Sequence, residues 1–399
     1  MQINSFGRMD TETVLNPEIS FWKDIYKRHT PFAMLPTSIE FVGSVGYGRR
    51  VHAVVNRVGD LLSRVYLYIE LGNLNAGAGG CRFVDDIGRA LIDTCTLQIG
   101  SVDFDNLHGE LIHALEELST DSERQLGRFT GKSGSVAELE TWAKSTQYLY
   151  IPLDFYFCDG QGEALPLVSL HLTDVKLYMK IRPLNELVVG VGAAYTPVAA
   201  TDGLFSDMHL LCEVVLLDDD ERDYFADTPL KYLFIQHQYL GLQTIAAGST
   251  SHNIDVVFNH PTKELIMMQR TSTNTTALNW FDFSGEGTGA MVGEAFSSLR
   301  VNFTGNERVQ QMAPFYYRVI QPHQHHTRIP KKHIYVYSFA LNPEKKQASG
   351  SVNFSRIDNC RLQVVFQAAL AVSCDWLIYA ININMAYVQQ GCMLLKYAS

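Results

Sequence analysis

The sequence predicts an all-β chain built as two antiparallel sandwiches in tandem. Three observations carry this. Alternating apolar and polar runs recur along the whole length, β-branched and aromatic residues crowd those runs, and one dense charge cluster divides the chain near its middle. At roughly 150 residues per domain, 399 residues allow two or three domains. A hydrophobic share of 46% and a charged share of 19% exclude intrinsic disorder and supply enough apolar material for a core. So few charges on a folded chain also point to a surface that other protein covers.

Residues 1–30 form an N-terminal arm, polar at its start, with no apolar stretch of the secretory kind. Within it Phe21 and Trp22 precede Lys27, Arg28 and His29, a basic patch expected to hold the arm against a neighbouring acidic surface. A first sandwich is assigned to 31–217. Its strands include RVYLYIEL (64–71), YLYIPLDF (148–155), LVSLHLTDVKLYMKI (167–181) and 209–217. The run GSVGYG (43–48) is a set of turn glycines rather than a phosphate loop, because no helix follows it. A helix is expected over 105–118, DNLHGELIHALEEL, where Leu107, Leu111, Leu115 and Leu118 share one face. Its Glu116 and Glu117 sit at the end that the helix dipole disfavours, so packing must hold it.

The cluster DDDERD (218–223) is expected to be a solvated connector spanning 218–230, with a second sandwich over 231–399. Strands there include HNIDVVF (252–258), HIYVYSFAL (333–341) and RLQVVFQAAL (361–370). The apolar stretch 364–381 is broken by Gln367, Ser373 and Asp375, which suits a pair of buried strands and not a membrane span. A second helix is expected around 310–320. The halves share an order of elements: a strand (91–99), a turn at Gly100, a short strand and a helix are echoed by a strand (299–303), Gly305, a short strand and a helix. About eight strands on each side of the charge cluster give two eight-stranded antiparallel sandwiches. The jelly roll is the expected topology: an all-β double jelly roll with a few short helices in loops.

Chemistry is sparse. No nucleophile motif is present. The cluster His323, His325 and His326, with His333 further on, is the one grouping that resembles a metal site, since His323-Gln324-His325 is an HxH pair. The next carboxylate in sequence is Glu344, and Pro322 and Pro330 bracket the cluster as a loop, so an interface loop is the preferred reading and no metal or cofactor is assigned. Seven scattered cysteines without a CxxC pair indicate reduced, buried thiols in a protein folding in cytosol. Sequons occur at Asn274, Asn302 and Asn353. Only Asn274, in the polar stretch TSTNTT, is expected to be exposed, as a low-ranking glycosylation candidate. A net charge of −10 argues against direct contact with nucleic acid.

Longer motifs then carry a resemblance. Residues 321–359 contain QPHQHHTRIP, VYSFALNPE and SGSVNFSRIDN. NPEISFWKDIYKRHTPFA (16–33), IGRALIDTCTLQIG (87–100), HGELIHALEEL (108–118), LPLVSLHLTDVK (165–176), LDDDERDY (217–224) and NHPTKELI (259–266) stand in the same order. Together they are similar to the major capsid proteins of nucleocytoplasmic large DNA viruses of the iridovirus, phycodnavirus and mimivirus kind, over roughly residues 14–398. The resemblance implies two jelly rolls per chain, a pseudo-hexagonal homotrimer and an icosahedral shell assembled in host cytoplasm. The implied partners are neighbouring capsomers, minor or cement proteins, the penton and proteins of an underlying membrane. It assigns no catalysis. Within QPHQHHTRIP, Arg328 is expected to be a salt-bridge partner suited to an interface. The chain is shorter than many relatives, which implies short outer loops and a low-relief capsomer. Competing readings are a minor or penton-related capsid protein of the same fold, a cupin-like metalloenzyme, and a carbohydrate-binding sandwich using Trp280 and Phe281 as exposed loop tips.

Overall fold

The structure, a computed structural model, describes residues 7–9, 15–16, 28–74, 81–121, 124–158, 160–190 and 205–397. Strands before the charge cluster are β1 (Phe32–Val42), β2 (Arg50–Val54), β3 (Leu61–Leu71), β4 (Cys81–Phe83), β5 (Ile92–Ile99), β6 (Val102–Leu107), β7 (Gln147–Pro152), β8 (Leu165–Pro166), β9 (Val175–Ile181), β10 (Val188–Gly190) and β11 (Asp207–Leu217). After it come β12 (Leu230–Tyr239), β13 (Gln243–Ile245), β14 (Ser251–Val256), β15 (Pro261–Thr271), β16 (Ser298–Phe303), β17 (Asn306–Met312), β18 (Ile334–Ser338), β19 (Val352–Asn353), β20 (Cys360–Val365), β21 (Cys374–Gln389) and β22 (Cys392–Leu395). The helices are α1 (Ile87–Leu91), α2 (Gly109–Ser119), α3 (Val136–Trp142), α4 (Asp219–Asp227), α5 (Ser272–Thr276) and α6 (Gln321–His325).

Strand order makes each half a jelly roll. In the first half one layer runs β1-β11-β3-β7 and the other β2-β9-β5-β6, joined at the corner where Phe41 and Val42 of β1 pair with β2. The second half repeats this as β12-β21-β15-β18 and β14-β20-β16-β17. Numbering the eight principal strands of each half gives the same orders, 1-8-3-6 and 2-7-4-5, with all pairing antiparallel. The echo read from sequence is real. The hairpin β5/β6 turns at Gly100 (φ 64°) and β16/β17 turns at Thr304-Gly305 (φ 48° and 82°), and each leads into a helix.

The strands alternate as half-buried strands should. In β3, Val65, Leu67 and Ile69 point into the core while Tyr66, Tyr68 and Glu70 face outward. The 1-8-3-6 layer of the second half departs from this rule: β15 is buried at every residue after Pro261. One face packs into the second sandwich with Leu265, Met267, Ile378 and Trp376. The other face, with Ile266, Met268, Tyr379 and Ile381, joins the core of the first sandwich. Burial on both faces is why the apolar residues of β15 (LIMM, 265–268) and β21 (WLIYAI, 376–381) run on without alternation.

Several expectations are corrected by contacts distant in sequence. The first helix starts at Gly109, not Asp105, because 105–107 belong to β6 and the Asp105 carboxylate accepts from the backbone N–H of His237 at 2.9 Å. The run 167–181 is a strand only from Val175. Before it lies a 3₁₀ turn, and Leu172 then donates to the carbonyl of Gly391 in the second half. The second helix covers 314–325 instead of 310–320, so the histidine cluster opens on a helix and not in a loop. Pro322 has no N–H for the carbonyl of residue 318, and the preceding turn, Tyr316–Ile320, widens into a π-helix. The charged connector contains a helix, α4, none of whose residues is buried. All seven cysteines are free, yet Cys81, Cys158 and Cys392 are only half-buried. Of the basic patch, Lys27 lies outside the described residues with Phe21 and Trp22. Arg28 and His29 are exposed, and Thr30 donates to Glu221 of acidic α4 at 2.8 Å.

Helix α2 meets backbone so closely that only glycine fits at its start. A Cβ on Gly109 would lie 2.1 Å from the carbonyl oxygen of Arg89 and 2.7 Å from that of Ile92. Gly109→Ala is therefore expected to destabilise the protein by roughly 1–3 kcal/mol or more. Gly72→Ala, where nothing lies within 4 Å, should be nearly neutral in the same thermal unfolding experiment.

Candidate functional site: the seam between the sandwiches

The most highly organised polar chemistry of the chain lies where α2 and β6 of the first sandwich meet the second. At the edge, Gln236 of β12 donates to the carbonyl of Phe104 at 2.9 Å, and His237 Nδ1 lies 2.9 Å from Asp105 Oδ2. These side chains satisfy a strand edge that would otherwise be unpaired. At the N-cap of α2, His108 packs on Tyr239 and Tyr379 with ring centroids 4.8 and 5.7 Å away. Two residues on, Glu110 binds Arg182 of the first sandwich at 2.6 Å and Arg270 of β15 at 3.3 Å. Burial alone would raise the Glu110 pKa, but the guanidinium groups of Arg182 and then Arg270 outweigh it and hold the carboxyl at about 2.

Trp280 completes this cluster. Arg182 and Arg270 lie over its ring at 4.0 and 4.6 Å, and its indole N–H donates to the carbonyl of Glu186 at 2.8 Å. Phe281 is buried and stacks on His113 at 4.3 Å. These two aromatics are therefore seam residues, which removes the reading of Trp280 and Phe281 as exposed loop tips.

The carboxylates at the disfavoured end of α2 are compensated by cations. Arg89 pairs with Glu116 at 2.6 Å and with Asp86 at 2.8 Å, Lys132 pairs with Glu117, and His113 Nδ1 lies 2.7 Å from Asp86. The second sandwich joins through Arg328, whose Nη2 is 3.4 Å from Glu117 and whose backbone N–H donates to the carbonyl of Leu118 at 3.0 Å. Arg328 is a salt-bridge partner as expected, but its acceptor lies within the same chain.

The structure separates the three candidate histidines. His323 is exposed on α6, and His325 directs Nδ1 to the carbonyl of Leu341 at 3.0 Å. His326 is buried between two carboxylates, with Nε2 2.9 Å from Glu264 and Nδ1 3.0 Å from Glu344. Burial would lower the His326 pKa, but Glu264 and Glu344 outweigh it and push it up to about 9. A ring with a carboxylate beside each nitrogen is favoured as the imidazolium, which has no lone pair for a metal, so this arrangement binds a proton and ties two segments together. Among the described residues no group of His, Cys, Asp and Glu is arranged to hold a metal ion. Sequence reasoning identified His326 and Glu344 but missed Glu264, which strand pairing alone brings to the site.

The polar stretch at Asn274 is helix α5, capped by the Thr271 hydroxyl accepting from the Asn274 N–H at 3.3 Å. The Asn274 amide donates to the carbonyl of Asp282 at 3.0 Å and is half-buried, while Asn353 is exposed, the reverse of the expected exposure.

Two outcomes are expected at this seam. Glu110→Ala leaves Arg182 and Arg270 buried without their shared carboxylate and should cost about 3–5 kcal/mol in unfolding free energy. The His326 imidazolium contributes stability that is complete below its ordinary pKa of 6.5 and is lost as pH rises through about 9. The melting temperature should therefore fall over that window, and His326→Gln should flatten the dependence; an unchanged slope in the variant would refute the assignment.

Comparisons with known proteins agree with this architecture. Residues 20–218 match the family described as major capsid protein N-terminus, and residues 221–394 match that described as large eukaryotic DNA virus major capsid protein. The major capsid protein of Pyramimonas orientalis virus is 30% identical over 427 residues, covering 100% of this chain and 99% of the relative. That of Phaeocystis pouchetii virus is 29% identical over an alignment of 525 residues, so the relative carries inserted segments that this shorter chain lacks. Among solved structures, PBCV-1 VP54 superposes with a TM-score of 0.81 at 26% identity over 95% of this chain and 100% of that one. The Faustovirus major capsid protein, at a TM-score of 0.73 and 12% identity over 96% and 95% of the two chains, shares the fold. Two jelly rolls of one topology, fused through a buried polar seam and matched over nearly their whole length, show that this chain belongs to the major capsid proteins of large eukaryotic DNA viruses.

Proposed function

We propose that the chain is the principal tile of an icosahedral shell, acting as a homotrimer in which six jelly rolls surround one axis in a pseudo-hexagonal capsomer. The observation that supports this is the repeat itself: two sandwiches of identical strand order, held rigidly by the Glu110, Asp105 and Arg328 contacts. Three such chains supply six similar units, and a heterologous contact repeated by a rotation that closes makes a ring. The domain division follows the same plan, with an arm over 1–30, sandwiches over 31–217 and 231–399, and the connector 218–230 between them.

The role is mechanical. The tile meets neighbouring capsomers, minor or cement proteins, the penton and proteins of an underlying membrane, within a virion capsid assembled in host cytoplasm. A net charge of −10 leaves the genome to other layers. Neither catalysis nor a bound metal is part of this reading: His323, His325 and His326 shape the end of the second helix and its exit, and Asn274 stays unmodified. The minor or penton-related alternative keeps the same fold and differs in abundance, since the tile must dominate the virion.

Light scattering coupled to size exclusion is expected to give a particle near three times 44.8 kDa. A stable monomer at micromolar concentration would refute the trimer. Stoichiometric Fe, Zn, Mn or Ni in the purified protein would instead revive the metalloenzyme.

A further inference from the structure

The seam is not filled throughout. Where the end of α2 meets β12, β15 and β21 it encloses a cavity of about 420 Å³, within the size range of small-molecule sites. The first sandwich contributes Leu115, Leu118 and Tyr156, and the second contributes Ile235 and Ile381, so this wall is largely apolar. A bulge in β15 sets the polar part. The register slips at Lys263, which brings Glu264 opposite Ile381 in the cavity lining. Glu264 is 2% exposed. No N–H or O–H of the described residues is aligned to donate to its Oε2, although His326 Nε2 lies 2.9 Å away.

Charge decides what such a cavity holds. Glu264, Glu344 and Asp154 line it as carboxylates. The end of α2, at Ser119 and Thr120, adds the negative half of the helix dipole. Two cations stand against them, and both are engaged. His326 lies between Glu264 and Glu344, and Lys346 binds Glu163 at 3.0 Å. An anion would meet three carboxylates, and a neutral apolar molecule would leave Glu264 Oε2 buried without a donor. A metal ion fits no better, because no His, Cys, Asp and Glu among the described residues are grouped to hold one. A cation that carries both N–H donors and a hydrocarbon body satisfies both parts of the lining.

We propose that the seam cavity binds an organic ammonium ion with a short alkyl body. Its N–H groups turn to Glu264, and its hydrocarbon lies along Leu115, Leu118, Ile235 and Ile381. Both sandwiches touch this ligand, so its binding fastens their docked arrangement and stabilises the folded chain by mass action. The site is complete within one chain and stands independently of the trimer reading.

Isothermal titration of the full chain with n-hexylammonium chloride tests this. One saturable site per chain is expected, with Kd on the order of 1 mM or below. Hexanoate reverses the charge and ammonium chloride lacks the hydrocarbon, so each should bind at least roughly tenfold more weakly. Glu264→Gln should weaken n-hexylammonium by roughly tenfold or more. Glu264 also holds His326, so circular dichroism melting first establishes that this variant folds. Lys346→Gln keeps the test decisive if it does not. That change removes a competing cation from the lining and releases Glu163, and it should tighten binding roughly threefold, a gain that a merely structural Lys346 would not give. Absence of a saturable site would overturn the proposal. Hexanoate binding as well as n-hexylammonium would show an apolar cavity only, and ammonium binding as well would show a charge effect only; either result overturns it. So would an unchanged affinity in a folded Glu264→Gln variant or in Lys346→Gln.

Discussion

A single carboxylate organises the middle of this molecule. Glu110 sits at the start of α2, where an acidic group suits the helix dipole, and it is shared by Arg182 from the first sandwich and Arg270 from the second. Isolated buried charges are costly, and a lone carboxylate at this depth would take up a proton instead. Two guanidinium groups and the indole of Trp280 remove that cost together, but only when both sandwiches are docked. The seam therefore demands a particular alignment, and His237, Gln236 and Arg328 comply with it from other positions.

This constraint accounts for the peculiar strands of the second half. Strands β15 and β21 are buried on both faces because one face fills a sandwich and the other closes the seam. Part of the low charge fraction thus has an origin inside the chain, where two jelly rolls bury surface against each other. The first sandwich has no such cover over its equivalent layer among the described residues, and its Tyr-rich outer face accounts for further aromatic content.

Much of the fold was legible because strand periodicity is local. Tyr66, Tyr68, Val65 and Leu67 announce the faces of β3 by alternation alone, and Gly100 and Gly305 announce two tight hairpins because φ is positive there. The repeated order of strand, turn, strand and helix was visible for the same reason. Helix boundaries were less legible. Asp105 reads as helical from its spacing yet serves a strand edge, and Pro322 reads as a helix stop yet is accommodated by a π-turn.

The sequence by itself determined the all-β class, the two repeated sandwiches and the family, because each rests on short-range pattern or on motifs of contiguous residues. Only the tertiary structure decided what the singled-out side chains do. Trp280 turned from a surface aromatic into the platform for two arginines, Arg328 from an interface group into a tie to Glu117, and His326 from a metal candidate into an imidazolium between Glu264 and Glu344. Each of these roles depends on a partner far away in the chain. The energy of a charge or an aromatic ring is set by what surrounds it, and spacing along the chain does not record that.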